Sequence, residues 1–196
     1  MFYSVMNITS LNNISFQKNL VAKCAIREGQ NYVPAKIFQL ENGDEDYFKK
    51  FKYDSSWKGN LYSIYMDYGA ENGFVNDMYV IENNGGECLG YLKTDQDDKT
   101  CVKYIQYIET KPKHTDNEKK YIGETLLNFF VQQSRRENKQ YICACDVDDD
   151  AIGFYTQYGF ISGKEPIPNY YFNVNNNEEL ETMNYEHTNS KIEFVG

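Results

Sequence analysis

A mixed α/β (α+β) fold, with a mostly antiparallel central sheet flanked by helices, is predicted by three observations. Strand-like runs come in pairs joined by glycine-bearing turns. One segment, Ile122 to Val131, carries its apolar residues at helical spacing. A second apolar run, Gln140 to Val147, follows that helix, so the helix connects two strands. At 196 residues the chain is long enough for one well-packed domain and short for two. A single domain over residues 1–196 is expected, with the polar, Asn-rich residues 1–19 as an N-terminal extension or an edge strand around Ile14 and Phe16.

The elements follow in order. Leu20 to Arg27 and Tyr32 to Leu40 are strand-like, and Glu28 to Asn31 reads as their hairpin turn. Asn42 to Asp44 marks a turn and a helix start, with Tyr47, Phe48 and Phe51 on one helical face. A second short helix is expected from Gly59 to Tyr68. Met78 to Glu82 and Glu87 to Lys93 are strands around the turn Asn83 to Gly86. Asp95 to Thr100 is a polar turn. Cys101 to Thr110 is apolar on both faces (Val102, Tyr104 and Ile108; Ile105 and Tyr107), as expected of a central strand.

The helix after it presents Ile122, Leu126, Phe129 and Phe130, widened by Leu127 and Val131, and ends in Arg135 and Arg136. The strand Gln140 to Val147 follows. Asp148, Asp149 and Asp150 open a short helix, where carboxylates cap amides and oppose the dipole; Gly159 stops it. Phe160 to Ser162 begins a strand, Pro166 to Asn177 is a loop, and Glu181 to His187 is a last strand.

Composition narrows the function. Hydrophobic residues are 41% and aromatics 16%, enough for a substantial core, and each of the 18 tyrosines brings apolar area with a hydroxyl that needs a partner. A formal charge of −9 argues against nucleic acid, whose binding is driven by Lys and Arg, and favours a cationic substrate. No apolar stretch approaches the ~20 residues of a membrane helix, and the start lacks a basic and a long apolar region. A soluble, cytoplasmic protein is expected. The five cysteines include Cys143 and Cys145 on one face of a strand-like run. A metal or redox pair is one reading of them; with no C-x-x-C and only His114 and His187, two small core residues is the favoured one and no metal site is expected.

The loop from Lys111 to His114 leads into the helix near Gly123. A helix N-terminus offers unpaired N–H groups and a positive dipole end, which together bind phosphate. Residues 111–139 hold seven Lys and Arg against four Asp and Glu, a net positive segment in an acidic chain. A pyrophosphate cradle and an ordinary solvated helix both fit this pattern.

Two linked segments carry a resemblance. Glu118 to Leu127 places Gly123 before Leu126 and Leu127, and Asp148 to Phe160 holds Ala151, Phe154, Tyr155, Gly159 and Phe160. Over roughly residues 74 to 186 the sequence resembles the GNAT acetyltransferase superfamily. Its cofactor loop reads Arg or Gln, two residues, Gly, one residue, then Gly or Ala; its second segment reads Asn, two residues, Ala, then Phe-Tyr and Gly-Phe. Departures from the pattern are Glu118 for the basic or amide residue, Tyr121 for the first glycine and Asp148 for Asn.

The resemblance implies an acetyl-CoA (acyl-CoA) site and acyl transfer to a primary amine, small or on a protein, by direct attack in a ternary complex. Pantetheine would pair with backbone from Ile108 to Thr110. The pyrophosphate would sit on amides of Lys119, Lys120, Tyr121, Ile122, Gly123, Glu124 and Thr125. Asp148 and Phe154 belong to the second cofactor segment. The strand beginning at Gln140 would splay from the central one to leave a thioester slot. Tyr155 would protonate the departing thiolate. Relatives place a glutamate base where this chain has Gln106, so Glu109, the nearest carboxylate, is the expected base. A GNAT-fold interaction module without catalysis is the alternative that Tyr121 and Glu118 motivate, and an acyltransferase acting on aminoacyl-tRNA is a third.

Overall fold

In the computed structural model, which describes residues 18–40, 44, 47, 78–96, 100–111, 119–163, 169–176 and 192–196, two turns fix the first four strands. β1 (Asn19–Glu28) and β2 (Asn31–Gln39) turn at Gly29, whose φ of 59° is left-handed, where glycine escapes the Cβ clash. β3 (Met78–Asn83) and β4 (Cys88–Gln96) turn at Gly86, and the Asn83 side-chain oxygen accepts from the amides of Gly85 and Glu87, both at 3.0 Å. Asn83 thus acts as a local template for the reversal.

Then come β5 (Val102–Thr110), the two-residue β6 (Lys119–Lys120), helix α1 (Ile122–Arg136), β7 (Tyr141–Ala144) and helix α2 (Asp149–Thr156). β8 (Ile161–Ser162), β9 (Tyr170–Asn173) and β10 (Glu193–Phe194) complete the described elements. The sheet order is β10-β1-β2-β3-β4-β5-β7-β9-β8, with β6 against β1. Among these pairs only β5 with β7 is parallel, as a helical crossover between adjacent strands allows. The mixed, mostly antiparallel sheet predicted from the sequence is the fold.

The helical stripe read from the sequence is the face of α1 that meets the sheet. Leu126, Leu127, Phe129, Phe130 and Val131 are fully buried against Ile26, Ile37, Ile81, Leu92 and Ile105. Each such side chain contributes roughly 1.5–3 kcal/mol relative to exposure. At the far end Arg136 lies over the Phe194 ring, 4.3 Å from its centroid, and buried Lys103 pairs with Glu137 at 2.6 Å.

Three boundaries differ from expectation. β4 runs on to Gln96, because Thr94, Asp95 and Gln96 pair with Ile105, Tyr104 and Lys103, so Asp95 is a strand residue and not the start of a turn. β7 stops at Ala144, three residues short of Val147, since its parallel partner diverges there. A strand, β9, occupies part of the loop expected from Pro166 to Asn177. Tyr170 and Phe172 are buried while β9 pairs with both β7 and β8, a tertiary gain that the flanking prolines and asparagines hid. The helices expected over 44–51 and 59–68, the edge strand near Ile14 and the strand from Glu181 to His187 lie outside the described residues, apart from Asp44 and Tyr47.

Gly90 sets how closely α1 approaches β4. A Cβ there would stand 2.9 Å from Ile122 Cγ2 and 3.0 Å from the Glu109 carbonyl oxygen. Gly90→Ala is expected to lower unfolding free energy by about 1–3 kcal/mol through overpacking. Chemical denaturation measures this, and an unchanged midpoint would contradict the packing.

Candidate functional site

β5 and β7 pair over four residues, from Val102 with Tyr141 to Ile105 with Ala144, and a last hydrogen bond runs from Cys145 N–H to the Ile105 carbonyl at 3.2 Å. Beyond it the two strands part. Residues 107–110 keep β4 on one edge, Gln106 being the extra residue of a bulge, and this part of β5 faces a cavity of about 760 Å³. On the β5 side its wall is Tyr104, Gln106, Tyr107, Ile108 and Thr110, with Asp95 from β4. Opposite stand Cys145, Asp146, Val147 and Asp148, then Ala151, Phe154 and Tyr155 of α2, with Gly123 of α1 at one end.

The N-terminus of α1 is held by its neighbours. β6 pairs Lys119 and Lys120 with Glu28 and Arg27 of β1, fixing the backbone just before the helix. Tyr121, the N-cap residue, has φ 65° and ψ 22°, left-handed for a residue with a Cβ, at a cost of about 1–2 kcal/mol. This is the position where the resemblance puts a glycine. The Tyr121 ring turns toward β1: its hydroxyl accepts from Arg27 Nη1 at 3.3 Å, with the guanidinium 5.8 Å from the ring centroid. The first helical bond is Thr125 N–H to the Tyr121 carbonyl at 2.9 Å, so the amides of Ile122, Gly123 and Glu124 have no acceptor within the helix. A Cβ on Gly123 would fill space 3.4 Å from Phe154 and 3.5 Å from Thr110. The residues between Pro112 and Glu118 lie outside the described set.

Helix α2 carries Tyr155 into the wall. Phe154 packs edge-on to Tyr155 and Tyr158, with centroids 5.2 and 5.3 Å away, and Tyr155 packs on Phe160 at 5.3 Å. The Gly159 φ of 81° reverses the chain so that Phe160 can return under the helix. Burial, and then the nearby Cys145, raise the Tyr155 phenol well above the ordinary tyrosine value, so it is a proton donor throughout neutral pH. Asp148 is the N-cap residue but makes no side-chain capping bond. The expected cap is therefore corrected: Asp148 lines the cavity, and Asp149 and Asp150 supply the negative charge of the first turn.

Ile108, Thr110, Gly123, Asp148, Phe154 and Tyr155 thus share one cavity. Glu109 is not in its wall; its carboxylate accepts from the Tyr91 hydroxyl at 2.7 Å. The acidic residue that does stand there beside Gln106 is Asp95, expected in a turn and found on β4. Buried Lys93 donates to Gln106 Oε1 at 2.8 Å, and Gln106 Nε2 donates to Asp95 Oδ2 at 3.3 Å. Alternation along β4 past Lys93 was the signal that could have found it. Cys143 is buried as expected, but Cys145 is half-buried in the cavity wall with its sulfur 3.7 Å from that of Cys143.

The sequence matches no family model and no curated protein. Solved structures share the architecture. An acetyltransferase of the GNAT family from Staphylococcus aureus superposes with a TM-score of 0.52 at 15% identity, over 71% of this chain and 99% of that one. A PaiA N-acetyltransferase from Thermoplasma acidophilum, in complex with coenzyme A, gives 0.50 at 12% identity, over 71% and 98%. N-acetylglutamate synthase from Neisseria gonorrhoeae, complexed with coenzyme A and L-arginine, gives 0.52 at 12% identity over 72% of this chain; the match spans only a third, 33%, of that protein. The chain has the GNAT fold.

The left-handed Tyr121 makes a stability prediction. Tyr121→Gly and Tyr121→Ala both lose the Arg27 contact, but only alanine keeps the strain, so the glycine variant should be the more stable by about 1 kcal/mol. Equal thermal midpoints would contradict that backbone conformation.

Proposed function

We propose that the protein is an acyl-CoA-dependent N-acyltransferase that moves an acyl group, most simply acetyl, to a primary amine by direct attack in a ternary complex. One observation carries the reading: the cavity where β5 and β7 part brings together an open strand edge, the amide end of α1 and a buried phenol. Coenzyme A in two of the structurally similar proteins supports the choice of donor.

The residues present fit such a donor. The open edge of β5 at Ile108 to Thr110 suits an amide-bearing pantetheine arm, and the space that a Gly123 Cβ would fill lies at the N-terminal, positive end of the α1 dipole, which suits pyrophosphate. Bound there, the donor supplies an activated thioester. The lining holds three carboxylates, Asp95, Asp146 and Asp148, and no Lys or Arg among the described residues, which suits an acceptor arriving as an ammonium ion.

An amine attacks only when neutral. Asp95, oriented by Gln106, takes its proton directly or through water; Glu109, tied to Tyr91, has the lesser claim to that role. Backbone N–H on the open edge of β5 meets the charge developing on the thioester oxygen. The Tyr155 hydroxyl donates its proton to the leaving sulfur, and the aromatic contacts of α2 hold the ring for it.

Turnover assays with acetyl-CoA and a panel of amines test the scheme. Tyr155→Phe should lower kcat by about 10²-fold or more while donor binding is retained. Asp95→Asn should cost about as much and Glu109→Gln only a few-fold. A Tyr155→Phe enzyme with unchanged kcat would reject the acid, and wild-type protein inactive on every amine would favour a non-catalytic module. Because the Tyr155 pKa is raised, the alkaline limb of kcat should lie above the usual tyrosine value of about 10. A fall below that value would contradict the assignment.

A further inference from the structure

We propose that Cys143 and Cys145 form a redox-active dithiol in the cavity wall, a modification site that reacts with small disulfides and closes to an intrachain disulfide. The observation is geometric. Period-two alternation puts both side chains on one face of β7, and their sulfurs stand 3.7 Å apart, one buried and the other reachable from the cavity. Two residues along a strand separate Cα atoms by about 6.6 Å, at the long end of the disulfide range, and parallel side chains hold the Cβ atoms farther apart than the roughly 4.5 Å a disulfide takes, so closure requires the backbone at Cys145 to move. The movement needed is available at this place. Cys145 lies one residue beyond the ladder, held to β5 by a single amide bond at 3.2 Å, and the chain turns at once through Asp146 with φ 48°.

Reactivity is asymmetric in the way a dithiol exchange needs. The hydrogen-bonding contact with Cys143 lowers the Cys145 pKa below the ordinary thiol value, against the opposing effects of burial, Asp146 and Asp95. By contrast, burial pushes Cys24 up to about 12. The Cys145 thiolate attacks one sulfur of a disulfide RSSR, forming Cys145–S–S–R and releasing RS⁻, which takes up the proton Cys145 gave up. The Cys143 sulfur then attacks the Cys145 sulfur, closing Cys143–Cys145 and expelling the second RS⁻, protonated by the Cys143 hydrogen. The dithiol has lost two electrons and two protons, and RSSR has become two RSH. This sulfur shares a wall with Tyr155, so the oxidised and reduced forms present different surfaces to anything in the cavity.

The exchange itself needs only the two thiols; a preference for the disulfide of coenzyme A over that of glutathione rests on the donor site proposed above. The full chain is incubated with each disulfide, denatured, alkylated, digested and weighed. The peptide holding residues 143–145 should lose two hydrogens, recover them with reductant, and escape alkylation, while exposed Cys101 is alkylated in reduced protein as an internal control. Cys143→Ser should trap a mixed adduct on Cys145, and Cys145→Ser should leave Cys143 unmodified. Coenzyme A disulfide should act about tenfold faster through proximity. Equal rates with the closed disulfide still formed would uphold the dithiol and count against the donor site. Full alkylation of both cysteines in the treated wild type, or a lasting adduct beside an open Cys143, would overturn the proposal.

Discussion

The short parallel pairing of β5 with β7 is the constraint on which the rest of the site depends. Two parallel strands joined through a helix need not stay paired along their length, and here they hold only until Ile105 and Ala144. Past that point β5 still has β4 to satisfy one row of its peptide groups. The other row faces a cavity, a costly arrangement for backbone unless water or a ligand completes it. The wall across from it is the turn after β7 and the helix that follows, so the parting of the strands also places Tyr155, Cys145 and Asp148.

Close packing then brings a second element to the same place. Gly90 has no side chain, and α1 comes down on β4 with Ile122 and Leu126 where a Cβ would collide. The amide end of the helix is thereby brought beside Thr110 and Phe154, and β6 anchors the residues before it to β1. Tyr121 accepts a left-handed backbone and turns its ring to Arg27 of β1.

The sheet, both hairpins and α1 were legible because each rests on a local signal: alternation, a glycine turn, or a stripe at 3.6-residue spacing. The short helix α2 was legible from the carboxylates at its start and the stop at Gly159, and Phe154 and Tyr155 on it line the cavity. What escaped depends on neighbours distant in sequence. β9 is four residues among prolines and asparagines, and only β7 and β8 make it a strand. Asp95 looked like a turn residue because its strand partner, Tyr104, lies across a polar stretch. Gly90 gave no local sign, since its need for a bare Cα comes from a helix more than thirty residues downstream. Cys145 shows the same limit: sequence gave its side of the strand but not that the strand ends before it.

Amide NMR during a titration with coenzyme A tests the central claim most directly. If the donor occupies the gap between β5 and β7, the resonances of residues 106–110 and 122–125 should shift together and saturate at one equivalent, while those of β2 and β3 stay in place. Saturable binding that leaves both of those segments unmoved, or no binding at millimolar ligand, would contradict it.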